Sequence, residues 1–285
     1  MSRHDESLSN ADLDRLRSLV YSHSGISLNS DKKIMLEGRL RRRLHSLNIA
    51  SYSEYCEYLF SRGGREEEIT HLIDAVTTNK TDFFREPAHF DFLTAQALPD
   101  LMRRERTGAR ALTWSAGCST GEEPYTLAIV LNEFAETEPG FRFSILATDI
   151  STTVLAKAQK GVFTSEAVAP VAPQLQRKYF MRSRDPNSNL VRAVPELRNL
   201  IEFRRLNLMD AGFGLSEQAQ FIFCRNVVIY FDRPTQEKLF EKFARQLARD
   251  GYLFIGHSES LHGMNLPLVP VAPALYRKVN ERIRL

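Results

Sequence analysis

Five groups of polar residues have the types and spacing that chemistry needs, and none is a protease- or esterase-like set. Glu122 and Glu123 directly follow a Gly117-x-x-x-Gly121 turn that also holds Ser119 and Thr120. Asp149 stands at the end of an apolar run, 32 residues after Gly117. Asn207-Leu208 and Arg225-Asn226 each end a further apolar run, and Asn79, Thr81 and Arg85 belong to the polar-aromatic strip Thr77 to Pro87. No convincing Cys-His or Ser-His-Asp combination is present, and His257 and His262 lack a third ligand at metal spacing. No metal is therefore expected.

The turn is the most informative of these groups. Gly117 and Gly121 permit a tight backbone and close ligand approach, while carboxylates in the first helical turn favour the positive end of the helix dipole. Two glutamates there would repel a pyrophosphate, the usual guest of a helix N-terminus in dinucleotide folds. The ligand expected is one that faces the loop with hydroxyls or positive charge, and S-adenosylmethionine fits. An acidic side chain at Asp149 can accept hydrogen bonds from both ribose hydroxyls. An ordinary βα turn, with Asp149 capping the next helix, is the plain alternative for this stretch taken alone.

Elements must hold these groups together. Ala111–Ala116, Phe141–Ala147, Ile201–Leu206, Phe221 onward and Gly251–Ile255 read as buried strands separated by helical patterns, which predicts an α/β domain with a mainly parallel sheet. Thr120 is a candidate cap for the helix after the turn, and 233–249 a candidate helix. Val269–Val279 reads as a closing strand pair. Between Gly161 and Asn199, four prolines surround two strand-like pieces, Lys178–Met181 and Leu190–Val194, as expected of an inserted antiparallel hairpin.

Before residue 90 the chain reads as all-helical. Leu13, Leu16, Leu19 and Val20 follow a helical period after Asn10 or Asp12, either a possible cap, and Gly25 ends the run. From Asp31, Leu36, Leu40, Leu44 and Leu47 make one stripe, with Lys32, Arg39, Arg42 and Arg43 in an adjacent arc. Tyr52–Phe60 and Glu66–Val76 are further short helices, and Phe90–Arg106 a helical connection. The predicted organisation is a helical domain over 1–88, a linker helix over 89–108 and an α/β domain over 109–285 with an insert at 162–199.

Composition bounds the function. A chain of 285 residues with 43% hydrophobic content can build two cores. A net charge of +3 is too small to imply nucleic-acid binding, but Lys32 to Arg43 concentrates six bases against Glu37 alone. That patch is either a solvated helix face or a docking surface for an acidic partner. Three scattered cysteines suit a reducing compartment, and neither a membrane-spanning run nor a leader-like N-terminus is seen, so a cytoplasmic protein is expected.

Taken together, Thr78-Asn-Lys-Thr-Asp-Phe-Phe-Arg-Glu86, Trp114-Ser-Ala-Gly-Cys-Ser-Thr-Gly-Glu-Glu-Pro-Tyr125, Ala147-Thr-Asp149, Asn207-Leu208, Phe223-Cys-Arg-Asn-Val-Val-Ile-Tyr-Phe231 and Gly256-His-Ser-Glu259 resemble the chemotaxis receptor methyltransferases, the CheR family, over nearly the whole chain. The resemblance implies a helical N-terminal domain and a class I, Rossmann-like methyltransferase domain with an inserted β-subdomain. It implies transfer of methyl from S-adenosyl-L-methionine to receptor glutamates, leaving S-adenosyl-L-homocysteine and γ-methyl esters.

By the same resemblance, Asn79, Thr81, Arg85, Gly117 and Glu123 would surround the methionyl end of the cofactor, Asp149 the ribose, and Asn207, Leu208, Asn226 and Val227 the adenosine and transfer side. Arg85 and Tyr230 would meet the incoming carboxylate. Lys32, Arg39, Arg42 and Arg43 would dock the acidic helical bundle of a chemoreceptor onto a monomer, with no nucleic acid and no membrane insertion. The turn Arg182 to Leu190 departs from those members that tether a receptor C-terminal peptide, because it lacks their glycine. A dehydrogenase, a nucleic-acid methyltransferase and a non-catalytic scaffold are the rival readings. The missing third turn glycine speaks against the first, and the absence of a stacking residue between Cys224 and Tyr230 against the second.

Overall fold

In the computed structural model, residues 7–29, 32–105 and 108–279 are described; Asp31, Arg106 and the polar N-terminus lie outside them. Four helices, α1 (Asn10–Ser24), α2 (Lys33–Leu47), α3 (Tyr52–Phe60) and α4 (Gly64–Val76), bury one core that includes Leu16, Leu40, Tyr55 and Ile73. Ser9, rather than Asn10 or Asp12, caps α1, its hydroxyl accepting from the Asp12 amide, because the helix begins one residue before the apolar period shows it. Gly25 closes α1 at φ +72°. The connection to the second domain is one continuous helical path of α5 (Ala88–Phe92), a π turn over Leu93–Ala97 and α6 (Leu98–Arg104).

The second domain contains β1 (Arg110–Ala116), α7 (Glu122–Thr137), β2 (Arg142–Asp149), α8 (Thr152–Lys160), β3 (Val162–Thr164), α9 (Pro173–Tyr179), β4 (Phe180–Arg182), β5 (Leu190–Ala193), α10 (Pro195–Arg198), β6 (Ile201–Arg205), β7 (Ala219–Cys224), α11 (Arg233–Gln246), β8 (Leu247–Ile255), β9 (Leu268–Ala272) and β10 (Leu275–Lys278). Seven strands form one sheet in the order β6-β2-β1-β7-β8-β10-β9. Its first five strands run parallel, and β10 is antiparallel to both of its neighbours. Apolar strands with helices on both faces account for this burial, with Trp114, Phe221, Phe223 and Phe254 fully enclosed.

The order reverses between β1 and β7, the switch point beyond whose carboxyl ends an open α/β sheet binds its ligand. The chain after β1 and the chain after β7 carry the glycine turn and Arg225-Asn226, respectively.

Three boundaries differ from the sequence expectation. The insert is a three-stranded sheet, β3-β5-β4, rather than a hairpin; β3 is only three residues long and shows no readable alternation. Lys178 and Tyr179 end helix α9 instead of beginning a strand, since Pro173 starts a helix there. Helix α11 stops at Gln246, and β8 starts at Leu247, ahead of Gly251.

Candidate functional site

The turn after β1 is shaped for close packing. Gly117 lies at φ +87°, and a Cβ on it would come within 2.5 Å of Val227 Cγ2, so only glycine lets the β1 turn meet the β7 loop. Ser119, at φ +50°, donates its amide to Asp149 Oδ2 at 2.9 Å and its hydroxyl to the Asn79 carbonyl at 3.0 Å. One residue thus ties the turn to β2 and to the polar strip. Thr120 does not cap α7. Its hydroxyl donates to Glu122 Oε2 at 2.6 Å, and Gly121 occupies the cap position without a side-chain bond.

Asp149 is buried at the end of β2, with Oδ1 accepting from the Ser151 amide and Oδ2 from Ser119, each at 2.9 Å. Burial raises its pKa, and the amide hydrogen bonds pull in the other direction. The carboxylate, with about four acceptor sites in all, keeps capacity for a hydroxyl donor.

Glu123 and Arg225 form the site's charged centre. Glu123 Oε1 accepts from Ser115 Oγ at 2.7 Å, and its Oε2 accepts from Arg225 Nε at 2.7 Å. Arg225 is itself buried; it donates through Nη1 to the Arg85 carbonyl at 2.5 Å and lies 3.6 Å from Glu86 Oε2. Phe84 and Glu86, which flank Arg85, take φ of +52° and +57°, a conformation that costs a non-glycine residue about 1 kcal/mol or more. Phe83 anchors the strip by packing edge-on against Phe163 and Phe180 of the insert.

All eleven residues nominated for the cofactor or the incoming carboxylate line one cavity: Asn79, Thr81 and Arg85 from the strip; Gly117, Glu123 and Asp149 from the β1 and β2 ends; Asn207, Leu208, Asn226, Val227 and Tyr230 from the β6 and β7 ends. The helical domain adds Ser24, Ile26 and Lys32 to the wall. Two contacts seat that roof, since the Ser27 amide donates to the Tyr230 carbonyl at 2.8 Å and Lys32 Nζ lies 5.3 Å from the centre of the Tyr230 ring. Asn207 differs from its expected role. Its side-chain nitrogen donates to the His23 carbonyl at 2.6 Å, joining the two domains, and its oxygen accepts from the Met209 amide of its own loop at 3.0 Å, so both amide ends are already engaged.

The cationic arc is also divided. Arg39 Nη1 donates to the carbonyls of Ala75, Val76 and Thr77, closing the end of α4, with the shortest contact at 2.7 Å. Arg43 pairs with the fully buried Glu68, Nη2 to Oε2 at 2.7 Å. Both therefore serve the fold rather than a free docking face; helical periodicity gives their direction but not what packs against it. Arg42 is exposed, and Lys32 belongs to the cavity.

Comparison with known proteins places these features. Residues 11–77 match the family described as "CheR methyltransferase, all-alpha domain" and residues 79–272 match "CheR methyltransferase, SAM binding domain". The chain belongs to the CheR family. Its relatives include the chemotaxis protein methyltransferase of Borreliella burgdorferi, 40% identical over 94% of each chain. That of Escherichia coli is 41% identical over 89% of this chain and 85% of its own, and chemotaxis protein methyltransferase 2 of Pseudomonas aeruginosa 40% identical over 90% and 89%. The protein is an S-adenosylmethionine-dependent methyltransferase of the chemotaxis type.

The CheR cavity suits that cofactor on its own chemistry. Asp149 has acceptor capacity for ribose hydroxyls, and Asn226 Oδ1 is buried with no partner, an acceptor for an N–H of the ligand. Glu123 puts a carboxylate on the cavity wall, the charge sign that suits a cationic ligand. Surrounding empty space of about 1040 Å³, open solvent at the mouth included, admits a nucleoside with its amino-acid arm.

Two parts of this site escape sequence reasoning. His257 Nδ1 lies 3.0 Å from Glu86 Oε2 and its ring stacks on His89, which is buried beside Glu86. The three donor atoms lie within 4.8 Å of one another, but Arg225 Nη1 stands 3.3 Å from His89 Nδ1 and already supplies a positive charge. Burial, then the charge of Arg225, pushes His89 down to about 4, so the ring is neutral at pH 7. Burial alone would raise Glu86, but hydrogen bonds from His257 and the charge of Arg225 hold it below the usual range. The second part is Glu259, beneath the β7 loop. No spacing rule joins residues 86, 89, 225 and 257, which only the sheet order brings together.

Proposed function

We propose that this protein transfers methyl groups from S-adenosylmethionine to glutamate side chains of chemoreceptor cytoplasmic domains, giving γ-methyl esters. The observation that carries the reading is the set of groups around one cavity: Arg85, Lys32 and Tyr230 are two cations and a hydroxyl donor fit to receive a carboxylate. A glutamate, with a pKa near 4.3, is already an anionic nucleophile at neutral pH. No general base is then required, and the neutral, buried His89 is engaged with Glu86 and Arg225.

When bound, the cofactor supplies the activated methyl group. Asp149 would hold its ribose, Asn226 would accept an N–H, and Glu123 would face its positive end. The protein's own part is alignment. Arg225 fixes Glu123 and the Arg85 backbone at once, and effective molarities from such positioning reach 10⁵ M or more, roughly 7 kcal/mol of barrier. The cavity-lining cysteine neighbour Cys118 and the strand residue Cys224 do not compete as nucleophiles, since burial raises both thiols well above their ordinary range.

The names of the relatives support a chemotaxis substrate, and exposed Arg41 and Arg42, with Ile34 80% exposed on the same helix, offer a surface for an acidic receptor bundle. Among the described residues no helix is long and apolar enough to cross a membrane. Incubation with methyl-labelled S-adenosylmethionine and chemoreceptor-bearing membranes should place label on the receptor and release it as methanol in mild base. Base-stable label, or label on nucleic acid alone, would overturn the assignment.

A further inference from the structure

The loop after β7 presents Asn226, Val227 and Tyr230 to the cavity, yet what holds it lies outside the cavity. Glu259, 7% exposed and four residues beyond β8, accepts the amides of Gly256 at 2.5 Å and Asn226 at 3.1 Å on Oε2, and of Val228 at 2.9 Å on Oε1. Neither oxygen meets a cation among the described residues, so this buried anion is held by backbone dipoles. From another element, Gln236 Nε2 donates to the carbonyls of Val228 at 2.9 Å and Phe231 at 3.0 Å. The loop's amides are thus held by one side chain and its carbonyls by another.

That clamp maintains a residue the backbone would not choose. Asn226 sits at φ +58° with Oδ1 buried and unpaired, and both the conformation and the orphaned acceptor oppose folding. Gly256 permits the arrangement, because a Cβ there would lie 2.6 Å from Asn226 Nδ2. A strained, unsatisfied polar residue at a pocket wall is what a pre-organised ligand acceptor requires.

We infer that Glu259 is a positioning residue for the cofactor pocket, acting through the backbone of the β7 loop to hold Asn226 with its Oδ1 ready for the cofactor. The inference rests on the cofactor reading above. It assigns to Glu259 no contact with cofactor or substrate.

Calorimetric titration of S-adenosylhomocysteine into wild type, Glu259→Gln, Glu259→Asp, Asn226→Ala and the Glu259→Gln/Asn226→Ala pair tests it, with thermal melting run on each. Glu259→Gln turns an amide NH₂ toward the loop's own N–H groups and should weaken binding about tenfold below the melting range, and Glu259→Asp, which keeps the charge, should recover part of that loss. Asn226→Ala should cost a similar factor alone but less than about twofold when Glu259→Gln is already present, since coupled residues lose the same interaction only once. Wild-type affinity in Glu259→Gln despite a lowered melting temperature, or two losses that simply multiply, would overturn the inference. A wild-type protein that does not bind the ligand would instead overturn the cofactor reading on which it depends.

Discussion

Each domain sets an arginine against a buried carboxylate, and the two centres are built to opposite ends. In the helical domain, Glu68 accepts Arg43 Nε and Nη2 at 2.8 and 2.7 Å and the Tyr55 hydroxyl at 2.9 Å, so the carboxylate is enclosed by its donors. In the methyltransferase domain, Arg225 is shared among Glu123, Glu86 and the Arg85 carbonyl, Glu86 Oε2 also lies 3.0 Å from His257 Nδ1, and the backbone on either side of Arg85 is left-handed. The first centre is closed and contributes nothing to the cavity lining; the second is shared and reaches the cavity through Arg85, Glu123 and Arg225. Burial of charge alone does not mark function. The mark is burial of shared charge together with strained backbone at a cavity wall.

Removing each arginine should break that comparison most sharply. Arg43→Ala and Arg225→Ala both strand a buried carboxylate and should each cost about 3 to 5 kcal/mol in urea unfolding. At a temperature where both variants are folded, Arg225→Ala should lose roughly 100-fold in methyl transfer through misplacement of Glu123 and Arg85. Arg43→Ala should retain cofactor affinity within about twofold. Equal catalytic losses would erase the distinction between the centres.

Acid probes the second centre specifically. Its His89, held neutral down to about pH 4, takes up a proton near 6.5 once unfolded, so the unfolded state binds more protons between these values. Stability contributed by neutral His89 is therefore complete above pH 6.5 and is lost as pH falls toward 4, by up to about 3 kcal/mol. Urea midpoints at pH 7 and 4.5 should show the decline, and His89→Gln should flatten it. A variant whose slope matches wild type would place the proton uptake elsewhere.

The smallest effect on stability should come from the arginine beside Arg43 that has no carboxylate. Arg42 and Arg41 are exposed on α2, and reversing both to glutamate should change stability by less than about 0.5 kcal/mol. Receptor methylation should fall about tenfold at low ionic strength, with the gap narrowing as salt screens charges beyond roughly 8 to 10 Å. Unchanged receptor methylation would leave none of the four helix-α2 arginines as a docking residue.

How far this was legible follows from what each signal encodes. Gly117, Asp149 and Asn226 were readable because each ends a buried strand, and a doubly wound sheet gathers strand ends at its switch point. Arg43 was misassigned because a helical wheel gives an azimuth, while its partner Glu68 lies on another helix among three consecutive glutamates, Glu66 to Glu68, that look alike in sequence. Asn207 lines the cavity, as the end of a strand predicts, but the bond from its amide to His23 crosses 184 residues. The pairing of Glu86 with His257 spans 171 and belongs to no motif. Strand β3 failed for a local reason, since three residues cannot display a period.

The Glu259 clamp also fixes when during synthesis this protein can become a methyltransferase. Translation delivers the helical domain first, and domains fold as units from the N-terminus, so α1 to α4 have their core sequence complete by Val76. The cavity gains Asp149 much later and Tyr230 later still, and the loop bearing Asn226 and Tyr230 stays unclamped until residue 259 has left the ribosome. A nascent chain stalled between Val76 and residue 259 carries a finished roof over an unfinished pocket, and a side chain that touches no ligand decides when the pocket can hold one.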